Sequence, residues 1–298
     1  MSSEQTIIII MAGGLGKRMN SDLPKVLHKI KKESMLVHIV KHAKLVLPKK
    51  IIVVVGKYRK IIEETLINNI DIDMENIFFV DQPEPLGTGH AIQCCIPMLK
   101  SEDLERAVAE GAGERGNSGD VSRRSLNTSV LILSGDIPLL QTSTMLQILA
   151  NLNKIKITVT EFDDPYGYGR IVEQNKIFDK IVEEKDCNFE QKQIKKVNCG
   201  IYAFNSEILC KYLPLLQPNN SQGGVNRSVS GGERLEHGCE RSEQKSSECY
   251  LTDIVEIIKI HEKINIEMFE FSEEDQIEII GINTVEQLDS LESRIIAS

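Results

Sequence analysis

The stretch IIIIMAGGLGKRM, residues 7–19, decides the fold of this chain of 298 residues. Its continuous apolar run is typical of a strand that is buried on both faces, and we predict such a strand over residues 7–12. The glycines at positions 13, 14 and 16 predict a tight turn where this strand ends. We therefore expect the core of a sheet to begin here.

Short apolar runs and helical stripes alternate after this first strand. We predict buried strands over 51–55, 77–80 and 130–133, with helices over 34–47 and around residues 61–66. Alternation of strand and helix predicts an α/β fold with a mostly parallel sheet. Further along, the pattern predicts strands over 155–162, 169–174, 177–183, 197–204, 266–271 and 277–282, with helices over 251–263 and 285–295. The first four of these later strands predict a partly antiparallel region.

Charge and cysteine content narrow the class of protein. The chain has 35 Lys and Arg against 44 Asp and Glu, so its net charge of −9 opposes a broad attraction to nucleic acid or to anionic lipid. An anionic small molecule needs a local cationic site. The early apolar run is too short to span a bilayer and has no signal-peptide pattern. The seven cysteines, which show no C-x-x-C spacing, suit a reducing compartment. We expect a cytoplasmic protein that binds neither nucleic acid nor a membrane.

Two segments differ in composition from the rest of the chain. Residues 101–128 and 217–248 are rich in Gly, Ser, Arg and Glu and hold most of the arginines but only one lysine, Lys245. They lack the apolar surface needed to offset the entropy of ordering, so we predict flexible surface insertions. Insertion of a mobile sequence and gradual loop growth are both compatible with this composition, and so is a loop that binds a partner.

The glycine-rich turn carries the first chemical signal. Backbone N–H groups of such a turn can face a phosphate chain, and Arg18 and Lys25 add cations close behind it. The spacing matches neither the dinucleotide fingerprint, because Met19 stands where a third glycine belongs, nor a P-loop, because Arg18 follows Gly16 and Lys17. A plain connecting turn remains an alternative, but the two cations favour phosphate binding.

Several motifs resemble one enzyme family in the family's own order. Residues 11–19 and the SDLPKVLH stretch at 21–28 resemble the signature loop of sugar-1-phosphate nucleotidylyltransferases, in the UDP-N-acetylglucosamine pyrophosphorylase branch. That branch includes the uridylyltransferase half of a bifunctional bacterial enzyme. The other matching motifs are Gln82 with LGTGHA (86–91), GDIPL (135–139), GYGRI (167–171), IVEEKD (181–186), VNCGIYAF (197–204), YLTDIVEI (250–257) and GINT (281–284).

The resemblance implies a Rossmann-like nucleotidyltransferase fold of the glycosyltransferase-A type over 1–298. A mixed, mostly parallel sheet flanked by helices would carry an antiparallel part that binds the sugar. Removing roughly residues 224–247 restores a contiguous family-like motif, which supports the insertion at 217–248. The bifunctional enzyme continues into a β-helix of hexapeptide repeats that performs acetyl transfer and forms trimers. No such repeats follow Asn283, so we predict no acetyltransferase domain and infer no oligomeric state.

Phosphate and metal chemistry would fall on four residues. Asp136 ends a predicted buried strand, where a carboxylate suits Mg²⁺, and the resemblance adds Asn283 as a second ligand. Arg18 and Lys25 would be the catalytic cations that neutralise the α-phosphate and the pyrophosphate. In isolation, Asp136 and Asn283 could each be simple turn residues.

The resemblance also assigns the two substrate pockets. Nucleotide binding would use the backbone of Ala12, Gly13, Gly14 and Gly87, the Gln82 amide on the uracil edge and the Thr88 side chain. Sugar binding would use Gly169, Glu183 and Asn198, since a carboxylate and an amide can bind sugar hydroxyls. Without the resemblance, Gln82 would be interpreted as a solvated loop residue and Glu183 as part of a solvated charged face.

Two positions depart from the family pattern. Lys17 replaces the usual Thr and is expected to add a cation near the phosphates. Ser134 replaces the usual aromatic residue before Gly135 and is expected to widen the pocket wall.

Together, the residues and the resemblance predict Mg²⁺-dependent uridylyl transfer from UTP to N-acetylglucosamine 1-phosphate. The alternatives are the same chemistry on another hexose 1-phosphate or with dTTP, and a catalytically inactive regulator that binds nucleotide sugars.

Overall fold

The computed structural model describes residues 5–14, 16–19, 21–100, 128–217 and 248–297. In chain order, its strands β1 to β11 are Thr6–Met11, Lys29–Ile30, Glu33–Ser34, Lys50–Val55, Ile77–Asp81, Ser129–Ser134, Ile155–Glu161, Arg170–Gln174, Ile177–Val182, Lys196–Asn205 and Glu267–Glu270. Its α-helices α1 to α7 are Met35–Leu45, Arg59–Ile67, Thr88–Gln93, Thr142–Leu149, Ser206–Tyr212, Asp253–Glu262 and Val285–Ala297. None of the described helices is long and apolar enough to cross a membrane.

One mixed sheet forms the centre of the described structure. Its strand order is β11-β7-β10-β6-β1-β4-β5, and the β8–β9 hairpin joins it through β10. Strand β1 pairs in parallel with β4 on one side and with β6 on the other. Strand β10 runs antiparallel to both β6 and β7. The predicted α/β class, with a parallel half and an antiparallel half, is confirmed.

The isoleucine run at residues 7–10 shows why β1 is central. All four side chains are fully buried, and they alternate between the two faces of the sheet. Ile8 and Ile10 pack against the helices α1, α2 and α4 on one face. Ile7 and Ile9 pack against α3, α5 and α6 on the other face. A strand covered on both sides needs apolar residues at every position, as the sequence has here.

A third apolar cluster attaches the final helix. Leu288 and Leu291 of α7 pack with Ile282 against Ile30 and Met35. This contact brings the end of the chain back to the carboxyl edge of β1. It thereby places the segment at 281–284 beside the glycine-rich turn.

Some local predictions were wrong. Residues 275–279 form a short 3-10 helix, because a brief apolar run does not by itself distinguish a strand from a helical turn. The apolar stripes that predict helices over 34–47 and around 61–66 include Leu47 and Ile61, but these two side chains are 87% and 40% exposed. Leu47 lies beyond the end of α1 in a left-handed conformation, so the helical stripe does not extend to it.

The predicted loops at 101–128 and 217–248 lie outside the described residues, except for positions 128, 217 and 248. Around the second of them, both described flanks bind the same region. Gln93 of α3 donates through Nε2 to the carbonyl oxygens of Leu213 and Leu216, each at 3.0 Å. On the returning side, the Cys249 N–H donates to the Leu86 carbonyl oxygen at 2.7 Å.

Candidate active site

Two adjoining cavities open where β1, β4 and β6 end. The narrow cavity has a volume of about 240 Å³ and is lined by Gly13, Gly14, Lys25, Gln82, Gly87 and Thr88 among others. The wide cavity has a volume of about 450 Å³ and is lined by Arg18, Gly169, Glu183, Asn198, Tyr250 and Asn283 among others. Met11, Thr88, Ser134 and Asp136 line both cavities. The carboxyl ends of parallel strands are where open α/β sheets bind ligands.

A cluster of charged and polar groups lies at the seam between the two cavities. The Lys25 ammonium donates to Asp136 Oδ2 and, at 3.0 Å, to Asn283 Oδ1. Arg18 Nη2 donates to the same Asn283 oxygen at 3.2 Å. Ser134 donates its hydroxyl hydrogen to Asp136 Oδ1. The structure therefore brings together all four residues predicted to act on phosphate and metal.

Close packing of the glycine-rich turn positions both cations. Gly16 has a positive φ of +59°, and a Cβ added there would lie 2.8 Å from the Lys25 Cβ. Only glycine accommodates this backbone and this contact. Arg18 lies in the short 3-10 helix Lys17–Met19, and Lys25 begins another, Lys25–Leu27. The side chain of Lys17 lies outside the described part of the structure.

The donor set at the seam fits a divalent metal. One carboxylate oxygen and one amide oxygen already converge on a single cation, the Lys25 ammonium. Mg²⁺ is commonly held by one or two protein oxygens, with water and substrate phosphates completing the shell. Among the described residues, no group of three or more His, Cys, Asp or Glu side chains could hold a metal. Asp136 and Asn283 would hold the ion only together with phosphate oxygens and water.

Three glycines, Gly13, Gly14 and Gly87, bring main chain to the wall of the narrow cavity. Gln82 Nε2 donates to the Gly87 carbonyl oxygen at 3.0 Å, while its Oε1 lies 3.3 Å from the position of an added Cβ on Gly13. The amide is thus oriented with its acceptor on the side of the glycine-rich turn. Ala12 does not line either cavity, because its N–H is bound to the Val54 carbonyl oxygen within the sheet.

A short strap, residues 248–252, packs behind the loop at 87–89, and its residues Tyr250, Leu251 and Thr252 line the wide cavity. The Gly89 N–H donates to the Cys249 carbonyl oxygen at 2.8 Å, and a Cβ added to Gly87 would lie 2.5 Å from that oxygen. Thr88 Oγ1 accepts a hydrogen bond from the Leu251 N–H at 3.0 Å. Its hydroxyl hydrogen is still able to donate to a ligand, since a hydroxyl both accepts and donates.

The wide cavity is shaped by side chains that bind one another. Glu183 Oε1 accepts from Thr252 Oγ1 at 2.7 Å. Asn198 Nδ2 donates to the Tyr202 hydroxyl at 2.7 Å, across an irregularity in the pairing of β10 with β7. The Gly200 N–H donates to Asn198 Oδ1 at 3.3 Å. Burial raises the pKa of Tyr202, so its hydroxyl stays protonated at neutral pH.

Three further residues lie in the wide cavity that motif reasoning did not single out. Tyr168 is largely buried, and burial first, then the nearby Cys199 and Asp136, raises its pKa. Thr252 binds Glu183 as described. Gln287 Oε1 accepts from the N–H groups of Asn283 and Thr284 at 2.7 and 3.2 Å. The T-x-x-Q spacing at 284–287 is a capping-box signal that could have predicted this last contact.

Comparison with known proteins places this chain in a family. A model of the MobA-like NTP transferase domain matches residues 8–185. The chain belongs to the MobA-like NTP transferase family. It is therefore a nucleotidyltransferase, and the resemblance seen in the sequence motifs is confirmed at this level.

Two curated relatives cover nearly all of this MobA-like transferase. A protein of Acanthamoeba polyphaga mimivirus, named probable UDP-N-acetylglucosamine pyrophosphorylase, is 37% identical over 98% of this chain and 96% of its own length. The bifunctional protein GlmU of Gloeothece citriformis is 32% identical over 97% of this chain. This chain spans only 52% of that bifunctional protein.

A solved structure shares the fold of this MobA-like transferase. It is a crystal structure from Bacillus anthracis, described as a glucose-1-phosphate thymidylyltransferase in complex with a sucrose. It superposes with a TM-score of 0.60 over 97% of this chain and 94% of the other, at 16% identity. That similarity supports the Rossmann-like nucleotidyltransferase fold.

Proposed function

We propose that this chain transfers uridylyl from UTP to N-acetylglucosamine 1-phosphate, with Mg²⁺, and releases pyrophosphate. The observation that carries the proposal is the seam, where Arg18, Lys25, Asp136 and Asn283 meet between a narrow and a wide cavity. A nucleoside triphosphate in the first cavity and a sugar phosphate in the second would bring their phosphates to this point. The name of the mimivirus relative supports the choice of sugar.

The chemistry requires positioning and charge neutralisation. An oxygen of the sugar phosphate attacks the α-phosphorus of the nucleotide, and the bond to the departing pyrophosphate breaks in line with it. Lys25 and Arg18 would stabilise the charge that develops on the phosphate oxygens. A bound Mg²⁺, held by Asp136 and Asn283, would supply further neutralisation of that charge. This mechanism needs no covalent nucleophile from the protein.

Gln82 would read the base. Its Nε2 is used by the Gly87 carbonyl oxygen, so its Oε1 is the atom available to accept the uracil N3–H. Backbone groups of Gly13, Gly14 and Gly87 and the Thr88 hydroxyl would complete the nucleoside site. The same features would also accept thymine, which shares the N3–H, so dTTP is retained as an alternative.

Glu183, Asn198 and Gly169 would hold the sugar. A Cβ added to Gly169 would lie 3.6 Å from Glu183 Oε2, which brings backbone and carboxylate close together on one wall of the wide cavity. Carboxylate and amide groups bind hydroxyls of many sugars, so another hexose 1-phosphate is retained as an alternative.

Pyrophosphate release by the purified chain with Mg²⁺ tests the proposal. UTP, dTTP, GTP, CTP and ATP are each combined with the 1-phosphates of N-acetylglucosamine, glucose and galactosamine. Release confined to UTP with N-acetylglucosamine 1-phosphate is the expected result. Another preferred pair would contradict the substrate assignment, and nucleotide-sugar binding without any release would favour an inactive regulator.

The metal role of Asp136 is tested by Asp136→Asn. The variant should lose turnover far more than it loses binding of the nucleotide sugar, because the carboxylate would hold the Mg²⁺ that neutralises the charge on the reacting phosphates. Asp163→Asn is the matched control, since the Asp163 side chain is fully exposed and is paired only with Lys195 among the described residues. Full Mg²⁺-dependent activity of Asp136→Asn would contradict the assignment.

A further inference from the structure

An ion pair between a buried Arg170 and a partly exposed Glu184 lies beside the wide cavity, although neither side chain lines that cavity. Arg170 begins β8 and is only 2% exposed, and its Nη2 lies 2.7 Å from Glu184 Oε2. Its buried Nε has no hydrogen-bond partner in the described part of the chain. Burying a guanidinium is costly, and such pairs often add no stability over apolar residues of similar size. Stability alone therefore does not explain why the pair is present.

The same two side chains bind the loop that precedes β8. Arg170 Nη1 donates to the Tyr168 carbonyl oxygen, and Glu184 Oε2 accepts from the Gly167 N–H at 3.2 Å. All residues of this loop, 166–169, line the wide cavity. Burial opposes ionisation of Glu184, but the hydrogen bonds from Arg170 and Gly167 outweigh it and lower its pKa. Glu184 is therefore ionised at neutral pH.

The register of the β8–β9 hairpin explains why this pair lies next to the proposed sugar-binding residues Gly169 and Glu183. Arg170 lies opposite Val182, so the chain enters β8 from Gly169 and leaves β9 into Glu183 at the same end of the hairpin. The Asn198 N–H donates to the Gly169 carbonyl oxygen at 2.9 Å. The ion pair thus crosses between the two segments that carry the proposed sugar-binding residues.

We propose that Arg170 and Glu184 are positioning residues for the sugar 1-phosphate, because they hold loop 166–169 against the segment of Glu183. This inference rests on the proposed function of the wide cavity. The pair sets the separation between the Gly169 backbone and the Glu183 carboxylate without touching the substrate. It acts on the sugar side, since the described contacts of the two side chains are with residues that do not line the narrow cavity.

The double variant Arg170→Met/Glu184→Gln removes both charges and leaves no buried charge unpaired. We expect the KM for the sugar 1-phosphate to rise on the order of 10- to 100-fold, because small misplacements of binding groups have effects of this size. The KM for the nucleoside triphosphate should be unchanged. Amide hydrogen exchange in loop 166–169, measured without substrate, should become faster.

The matched control is Glu173→Gln on the same hairpin. Glu173 pairs with Lys196 at 3.2 Å and lines neither cavity. It should change neither the KM for sugar phosphate nor the exchange of loop 166–169. An equal rise of both KM values, or an equal effect in this control, would indicate general disturbance and overturn the positioning role.

Wild-type loop exchange and wild-type KM in the double variant would also overturn the inference. If circular dichroism shows that the double variant does not fold, Glu184→Asp, which keeps the charge but shortens its reach, must show the same changes. The proposed function fails separately, if the wild-type chain releases no pyrophosphate from UTP and N-acetylglucosamine 1-phosphate. In that case the exchange measurement, together with KM for whichever sugar phosphate is accepted, still decides the role of the pair.

Discussion

Closely packed glycines form part of the wall of the narrow cavity, whereas polar side chains that bind one another form part of the wall of the wide cavity. On the narrow side, Gly13 lies close to Gln82, and Gly87 and Gly89 lie close to Cys249. On the wide side, Glu183 depends on Thr252, and Asn198 depends on Tyr202. The difference predicts two kinds of failure: added atoms should damage the first cavity, and deleted polar atoms should damage the second.

Lys25 lines the narrow cavity and binds Asp136, which lines both cavities, so its loss should have the largest effect. Lys25→Met should lower kcat/KM by about 10²–10³-fold, the size expected when one charged group that stabilises a transition state is removed. Steady-state kinetics with both substrates varied would measure this. Lys60→Met is the control, because the Lys60 side chain is 90% exposed on α2. Wild-type kinetics of Lys25→Met would show that the seam does not act on the phosphates.

Gly87→Ala should damage the narrow cavity by adding one atom. The new Cβ would lie 2.5 Å from the Cys249 carbonyl oxygen, at a residue whose φ is +98°. Such strain costs about 1–3 kcal/mol of unfolding free energy, and the KM for UTP should rise while that for the sugar phosphate does not. Urea unfolding and kinetics measure the two effects. Gly14→Ala, with nothing within 4 Å of its Cβ, should unfold like the wild type.

Tyr202→Phe should damage the wide cavity by deleting one atom. Asn198 Nδ2 would lose its 2.7 Å partner in a buried site, at a cost of about 1–3 kcal/mol. We expect the KM for the sugar phosphate to rise and the KM for UTP to stay the same. Tyr212→Phe is a useful comparison, since it removes a hydroxyl bonded to Glu262, away from both cavities. Raised KM values for both substrates in Tyr202→Phe would mean that the two cavities are not built independently.

Glu262 should show the smallest effect, confined to acid pH. Hydrogen bonds from Lys154, Lys211 and Tyr212 lower its pKa from 4.5 to about 2. Because the pKa is lower in the folded state, its contribution to stability is complete above pH 4.5 and is lost as the pH falls toward 2. Thermal unfolding over that range should show a weaker acid dependence in Glu262→Gln, with kinetics at neutral pH unchanged. An identical acid dependence would show that these bonds do not hold in solution.

The sequence predicted those candidate site residues that lie in short motifs next to the ends of strands. Lys25 and Asp136 were predicted as site residues because a cation after a glycine turn and a carboxylate after a buried strand carry their chemistry locally. Tyr202 and Arg170 were not assigned roles, because what they do is decided by partners on other segments. Gln287 falls between these cases, since its capping box is a local pattern whose effect on Asn283 depends on where α7 docks.

The ends of strands and helices were likewise predicted well only where the local pattern allows one structure. The four isoleucines of β1 predicted a strand buried on both faces because no other setting suits them. The short apolar run at 277–282 carried no such restriction and was wrongly assigned to a strand, where a 3-10 helix ends at Ile279. Leu47 continued the helical stripe of α1 in sequence, but the backbone had already left the helix.

The anchoring of both flanks of residues 218–247 to the region of α3 has a practical consequence. Gln93 holds the outgoing flank at Leu213 and Leu216, and Leu86 holds the returning flank at Cys249. The entropy of closing a chain segment grows only with the logarithm of its length, so lengthening the chain between these two fixed ends adds little entropic cost. A reporter or an affinity tag could therefore be inserted between residues 217 and 248. Because Cys249 contacts Gly87 and Gly89, strain in the insert would be transmitted to the narrow cavity.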